Sequence, residues 1–442
     1  MSIGSQLPRA LAFWLLAAVL TLLLAASAAP SPLYLVYQQR WHFSPLDLTS
    51  VYAANSLALL VTLLFVGSLS DHLGRRPVLL AAVAVELVSM LVFAEARGLA
   101  WLFAARIIQG VATGAATGAL SAGLIDLQPP GSRLGALLTN VASAGGLALG
   151  ALGCGLLVSY GPAPTRLVYW LLVTALTAAL PLLAIVPETV PREAMAADGG
   201  WRRSLRPRVG VPAPVRAAFT ALLPSITATW ALAGLYLSLG GSLVHSVLGL
   251  NSQLAGALVI VALQGSSAVT AVLARDWTVR RSLLAGPVLL IAGVGLALIA
   301  LRTGSVWLFF TASAVAGVGF GPSFSGALRT LVSLAPADRR AEVVTAVYVL
   351  SYLALSLPAV AAGLAVSHIG LTGTATIYGV AVCVLEAVAL AGSLLRREPV
   401  AAPAPAHALT HAPVPARAPH GLPIGGPGSV APCPRAAAAQ AS

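Results

Sequence analysis

Twelve blocks of mostly apolar residues dominate this chain, each close to the roughly 20 residues that one helix needs to cross a bilayer. They fall near residues 10–29, 48–69, 78–97, 100–124, 133–158 and 166–186, then 217–239, 253–274, 282–301, 305–328, 342–366 and 371–394. A polar gap separates the sixth block from the seventh. In hydrocarbon, backbone N–H and C=O groups have no water to bond, so helical blocks of this kind cross the membrane as helices. The expected fold class is all-α integral membrane, with twelve transmembrane helices in two sets of six.

Composition supports this reading. Of 442 residues, 58% are hydrophobic and 9% charged, whereas soluble domains carry about 25% charged residues. That excludes a soluble globular fold, and the hydrophobicity excludes a disordered chain. The first block follows Arg9 and ends near an Ala-Ser-Ala run like a signal peptide. It is longer than the ~7–15 residues of a signal core, so it is read as a retained helix rather than a cleaved one.

The formal charge is +12, and with no lysine present all 25 basic residues are arginine. Nucleic-acid binding would need these on one soluble face. They lie instead in the short gaps between blocks. With the N-terminus inside, twenty arginines fall in inward gaps, Arg40, Arg97, Arg166 and Arg302 in outward gaps, and Arg106 within a block. The positive-inside rule then places both termini in the cytoplasm, in a multi-pass protein of the cell membrane. The expected organisation is an N-terminal bundle over 1–187, a basic linker over 188–216, a C-terminal bundle over 217–397, and a disordered Pro/Ala-rich tail over 398–442. Cys154, Cys383 and Cys433 are too scattered for a disulfide framework or metal cluster. His407, His411 and His420 in the tail are irregularly spaced, so no metal is expected.

Two loops share a pattern. After the second block the sequence reads Gly67-Ser-Leu-Ser-Asp71-His-Leu-Gly74-Arg75-Arg76, and after the eighth Arg275-Asp276-Trp-Thr-Val-Arg280-Arg281. Each places an arginine pair four and five residues after an aspartate, at matching topology, which points to an internal parallel repeat. The first loop resembles the signature loop of the major facilitator superfamily. Leu102-Phe-Ala-Ala-Arg106-Ile-Ile-Gln109-Gly110 is similar to that family's fourth-helix motif, and Pro187-Glu188-Thr189 to the end of its sixth helix. Ser31-Pro32-Leu33-Tyr34 after the first helix is a weaker likeness. The resemblance spans about residues 9–397, nearest to twelve-helix drug and metabolite proton antiporters. It implies two six-helix bundles around a central cavity.

The resemblance also implies a conformational latch from Gly67, Asp71, Gly74, Arg75, Arg76 and Asp126. Asp71 would meet the N-terminus of the eleventh helix, whose dipole favours a carboxylate, and Arg75 would bridge Asp71 to Asp126. The cluster would hold the outward-facing state and break on inward opening.

Arg106 lies inside an apolar helix, where a charge costs at least about 2.5–3.5 kcal/mol, so it needs protein or water around it. Glu86 is the nearest embedded acid. With Gln109 they form the candidate proton- or substrate-coupling group; a structural ion pair joining two helices is the other reading. If the third and twelfth helices are peripheral, Glu86 and Glu386 would be protonated or snorkelling. In the fifth helix, Gly146, Gly150, Gly153 and Gly155 are similar to the antiporter motif, but Ala151 stands where proline is usual. Small residues at this spacing also suit plain helix packing. Tyr34, Asn55, Asn140, Trp230, Tyr236, Gln264, Tyr348 and Tyr352 are candidate cavity residues, outlining a mostly apolar cavity for an amphipathic or hydrophobic solute.

No phosphate-binding Gly-x-x-x-x-Gly-Lys loop is possible without lysine, and neither His-Glu-x-x-His nor a serine elbow occurs. The chain is therefore read as a non-enzymatic secondary transporter without cofactors. Its expected partners are a small-molecule substrate, protons and the lipid bilayer, with no nucleic acid, and it is expected to work as a monomer. Proton-coupled efflux of a drug-like or metabolite solute is the leading expectation; import of a sugar or other nutrient by a symporter or facilitator is the alternative.

Overall fold

The computed structural model of the chain describes residues 7–66, 69–132, 134–190, 209–250 and 252–395, and the side chain of Asp71 falls outside that description. Gly67, most of the linker, the tail with its three histidines, and Cys433 likewise lie outside the described residues.

Among the described residues every regular element is helical. The membrane helices are α1 (Arg9–Ala28), α2 (Pro45–Val66), α3 (Arg75–Ala94), α4 (Leu99–Leu127), α5 (Leu134–Tyr160) and α6 (Leu167–Ala184). They continue with α7 (Ala213–Ser246), α8 (Gln253–Leu273), α9 (Val279–Thr303) and α10 (Val306–Leu334). The last helical stretch, Arg340–Leu395, has 56 residues and would measure about 84 Å if straight at 1.5 Å per residue. That is far more than a bilayer's ~30 Å core. It breaks at Gly370 (φ 71°, ψ 170°), a left-handed backbone that glycine adopts without a Cβ clash. The break divides it into α11 (340–369) and α12 (371–395), completing twelve.

Helix ends follow local chemistry. Extended Gly98 alone separates the short α3–α4 connection from α4, which begins at Leu99. Pro212 precedes α7 and Pro214 lies in its first turn, where a missing N–H costs nothing. This helix runs four residues earlier and seven later than its hydropathy block, because Leu243 and Val244 are buried at its far end. Prolines 181, 224, 287, 322 and 358 sit inside helices, as membrane helices tolerate.

Helices pack on their neighbours within each set of six. In the first, α4 packs on α2 and α3, α1 on α5, and α3 on α6; in the second, α7 packs on α11, and α9 on α10 and α12. Glycine sets several of these approaches. A Cβ on Gly114 would meet the Leu59 carbonyl of α2 at 2.6 Å, and one on Gly146 would meet the Thr21 carbonyl of α1 at 2.6 Å. Gly110 faces the Asn55 carbonyl in the same way, and Gly150 faces Ala25. The fifth-helix glycines at 146 and 150 therefore pack helix on helix.

The halves meet through α2 against α11 and α5 against α8. The closest approaches lie at one end, where Gly363 of α11 faces Pro45 and Thr49 of α2, and Gly155 of α5 faces Leu254 and Ala257 of α8. Leu235, Leu239, Ile260, Leu355 and Ala362 of the second half share one core with the first half. At the opposite end, which carries Arg75, residues Val215, Leu222, Leu331, Val343 and Val347 form a core of their own. The molecule is sealed at the first end, and at the Arg75 end the second half keeps a separate core.

Candidate functional site

Arg106, on the second turn of α4, is fully buried. Its Nε donates to the Tyr34 hydroxyl at 2.5 Å, and its Nη1 donates to the Ser27 carbonyl at 2.8 Å and to Gln109 Oε1 at 2.6 Å. Three rings surround the guanidinium, with centroids at 5.2 Å (Tyr34), 5.6 Å (Phe93) and 5.8 Å (Tyr52), distances at which the ring quadrupole attracts a cation. Charge-assisted bonds and ring faces together offset the desolvation of the arginine.

Glu86 does not pair with Arg106 directly. Gln109 stands between them, its Nε2 donating to Glu86 Oε1 at 3.0 Å and to the Ala26 carbonyl at 3.1 Å. One turn along α4, Gln109 reaches Arg106 with its oxygen and Glu86 with its nitrogen, a relay that an ion-pair reading of the sequence omits. Glu86 is 0% exposed, so it does not snorkel. Glu386 on α12 is equally buried and accepts from Ser225 of α7 at 3.2 Å, so it too faces protein. Arg106 Nη2, Glu86 Oε2 and Glu386 Oε2 find no hydrogen-bond partner among the described residues.

Tyr52, which motif reading did not single out, connects this network to the other half. Its ring covers Arg106, and its hydroxyl is within electrostatic reach of those of Tyr352 and Tyr378. Its position on α2, three residues before Asn55, was the available signal. In the second half Trp230 of α7 gathers three rings, with centroids at 5.1 Å (Tyr352), 5.4 Å (Phe324) and 6.5 Å (Tyr348). The structure thus brings together Trp230, Tyr348 and Tyr352 from the predicted cavity residues and adds Phe324.

The other predicted residues separate. Tyr236 donates to or accepts from Ser313 at 3.0 Å, joining α7 to α10 much as Tyr34 joins the end of α1 to α4. Asn55 is buried, with its side-chain oxygen unpartnered. Gln264 is buried on a π-helical turn of α8, Val261–Gly265, and its Oε1 is also unpartnered; such turns concentrate at functional sites. Asn140 on α5 is exposed and joins neither cluster.

At the opposite end, Arg75 Nε and Asp126 Oδ2 form an ion pair of 2.7 Å. The Thr189 hydroxyl donates to the same oxygen at 2.9 Å, and Arg9 Nη2 donates to the Asp126 carbonyl at 2.9 Å. The Glu188 carboxylate accepts from the backbone N–H of Arg75 at 2.9 Å and of Arg76 at 3.0 Å. This is an acid at the N-terminus of α3, where the helix dipole favours it. The Pro187-Glu188-Thr189 ending of α6 thus stitches α6, α3 and α4 together within one half. Gly74, at φ 96°, is the hinge into α3. In the repeated loop, Asp276 pairs with its neighbour Arg275 at 3.2 Å, and Arg329 of α10 donates to the Trp277 carbonyl at 3.3 Å.

Comparison with known proteins decides the family. The sequence profile of the Major Facilitator Superfamily matches residues 9–359. The chain belongs to the major facilitator superfamily. Two solved members of this fold align closely. One is a mutant of the nucleoside transporter NupG, at 13% identity and TM-score 0.67, covering 87% of this chain and 100% of that one. The other is a bacterial homolog of the human lysosomal transporter Spinster in an inward-facing, unoccupied conformation. It aligns at 14% identity and TM-score 0.69, covering 88% of this chain and 98% of that one. No curated protein matches the chain in sequence. As a member of the superfamily the chain is a multi-span membrane transporter of small molecules.

Proposed function

We propose that this superfamily member exports a small, largely apolar organic solute in exchange for protons, acting as a monomer in the cell membrane with both termini in the cytoplasm. The observation that carries this reading is the buried relay Arg106–Gln109–Glu86. It holds one cation and one carboxyl group out of water, each with an unpartnered atom, with three rings around the cation. Embedded ionisable groups of this kind mark proton and substrate paths in membrane proteins. On this reading the seal at the Gly363 end faces outward and the Arg75 end faces the cytoplasm. Arg75 and Asp126 then stay paired within one half while Asp71 engages and releases α11 as the halves rock.

The test is accumulation of a panel of fluorescent hydrophobic solutes in cells with and without the protein, each with and without a protonophore. Lowered accumulation that the protonophore abolishes supports the proposal. Protonophore-sensitive uptake would replace it with import.

A further inference from the structure

We infer that the Trp230 wall is a recognition site for flat aromatic solutes that carry a hydrogen-bond acceptor and no positive charge. The inference rests on the transport reading and adds the substrate class.

The wall is built of π-faces. Trp230, Phe324, Tyr348 and Tyr352 pack mostly edge-to-face and are only partly buried, so they present ring surface on which a planar solute can stack. Its polar groups are waiting for a partner. The Trp230 indole N–H is shielded from solvent and bonds nothing among the described residues. An indole nitrogen can donate and cannot accept, so only an acceptor satisfies it. The Tyr348 and Tyr352 rings stack on each other beside it, with centroids 6.3 Å apart. Buried polar groups in native proteins are nearly always satisfied, and an orphaned donor among partly exposed rings is a place where a ligand atom fits.

The local charge sets the sign of the solute. The guanidinium of Arg106 stands over the ring of Tyr52, whose hydroxyl is within electrostatic reach of that of Tyr352. Of the acids embedded among the described helices, Glu86 accepts from Gln109 and Glu386 from Ser225, each through one oxygen. An aromatic wall without a carboxylate attracts cations through its ring faces alone, while the arginine field opposes them. Neutral and acidic aromatics are favoured over cationic ones.

Three bicyclic probes separate these possibilities: quinoline, neutral at pH 7.5 with an acceptor nitrogen; 1-methylquinolinium, of the same shape but cationic and without the acceptor; and indole, a donor without a nitrogen acceptor. Saturation-transfer titrations on the full-length protein in detergent give the affinities. Quinoline is expected to bind about tenfold more tightly than 1-methylquinolinium. Trp230→Phe keeps the ring and removes the donor; it is expected to weaken quinoline about tenfold and indole less than twofold. A tenfold change corresponds to about 1.4 kcal/mol. Equal or tighter binding of the cation overturns the proposal, as does an equal effect of Trp230→Phe on all three probes or the absence of saturable binding. The wild-type comparison stands even where Trp230→Phe does not fold. Absent probe binding alongside intact protonophore-sensitive export removes this inference and leaves the transport reading; probe binding without export does the reverse.

Discussion

Replacing Gly363 by alanine tests whether the seal belongs to one conformational state. An added Cβ would stand 2.9 Å from the Pro45 carbonyl and 3.0 Å from Thr49 Cβ, and would overlap the Thr49 hydroxyl. That hydroxyl is itself held by the Pro45 and Leu46 carbonyls at 3.1 Å each, so its rotation alone does not relieve the contact. Overpacking of this kind typically costs about 1–3 kcal/mol. Alanine gains about 0.8–1 kcal/mol of helix propensity over glycine, but equally in both states. The cost falls only where α2 and α11 touch, so the sealed state loses population by about 5- to 150-fold relative to the open one. In a background lacking the native cysteines, Leu48→Cys reports the seal, because Leu48 is 1% exposed beside it. Labelling by a water-soluble maleimide in lipid vesicles is expected to accelerate by that factor. Gly150→Ala is the control, since its clash with Ala25 lies within one half and is expected to lower stability without changing labelling. An unchanged labelling rate in Gly363→Ala, with lower thermal stability, would refute the state-specific argument.

Arg106→Ala is expected to lose more export activity than Glu86→Gln, because it empties a ring cage and breaks three hydrogen bonds; the opposite order would overturn this ranking. Gln109→Leu removes the side-chain partner that Glu86 has among the described residues and takes a charge-assisted bond worth about 1.5–3 kcal/mol from Arg106, so a melting temperature several degrees lower is expected. Asp71→Asn is expected to impair flux with normal membrane insertion, and wild-type flux would end the latch proposal. A double-mutant cycle between Arg75→Ala and Asp126→Ala is expected to give a coupling of up to about 1 kcal/mol, the range for a partly exposed pair.

The twelve helices are legible because each is an answer to the bilayer's demand for internal hydrogen bonding, and hydropathy records that demand directly. The turn at Gly370 is legible for the same reason: a span cannot run twice the bilayer thickness. Rotation of the helices about their axes is less legible. Apolar side chains cover the lipid face and the protein face alike, so sequence periodicity separates them weakly. Ile107 is 47% exposed and its neighbour Arg106 is fully buried, a difference that hydropathy alone does not give. The relay through Gln109 and the place of Tyr52 depend on that rotation, which is why Gln109 was grouped with Arg106 and Glu86 while its place between them was not legible. The loop repeat was legible as spacing, while the pairing of Asp276 with its neighbour Arg275 was not.

The join at Gly370 leaves no slack between α11 and α12. Gly363 sits at the seal, and seven residues later the chain is already descending in α12, which ties to α7 through the Tyr378 hydroxyl and the Ala231 carbonyl at 2.8 Å and through Glu386 and Ser225. A long loop would absorb movement at the seal; a single glycine passes it on as torsion. When α11 parts from α2, the two helices must swing as one lever about 40 Å long, from the ~1.5 Å rise of each residue, and carry α7 with them. A flexible insertion after Gly370 would then act as a clutch, letting α11 part from α2 while α12 keeps its bonds to α7.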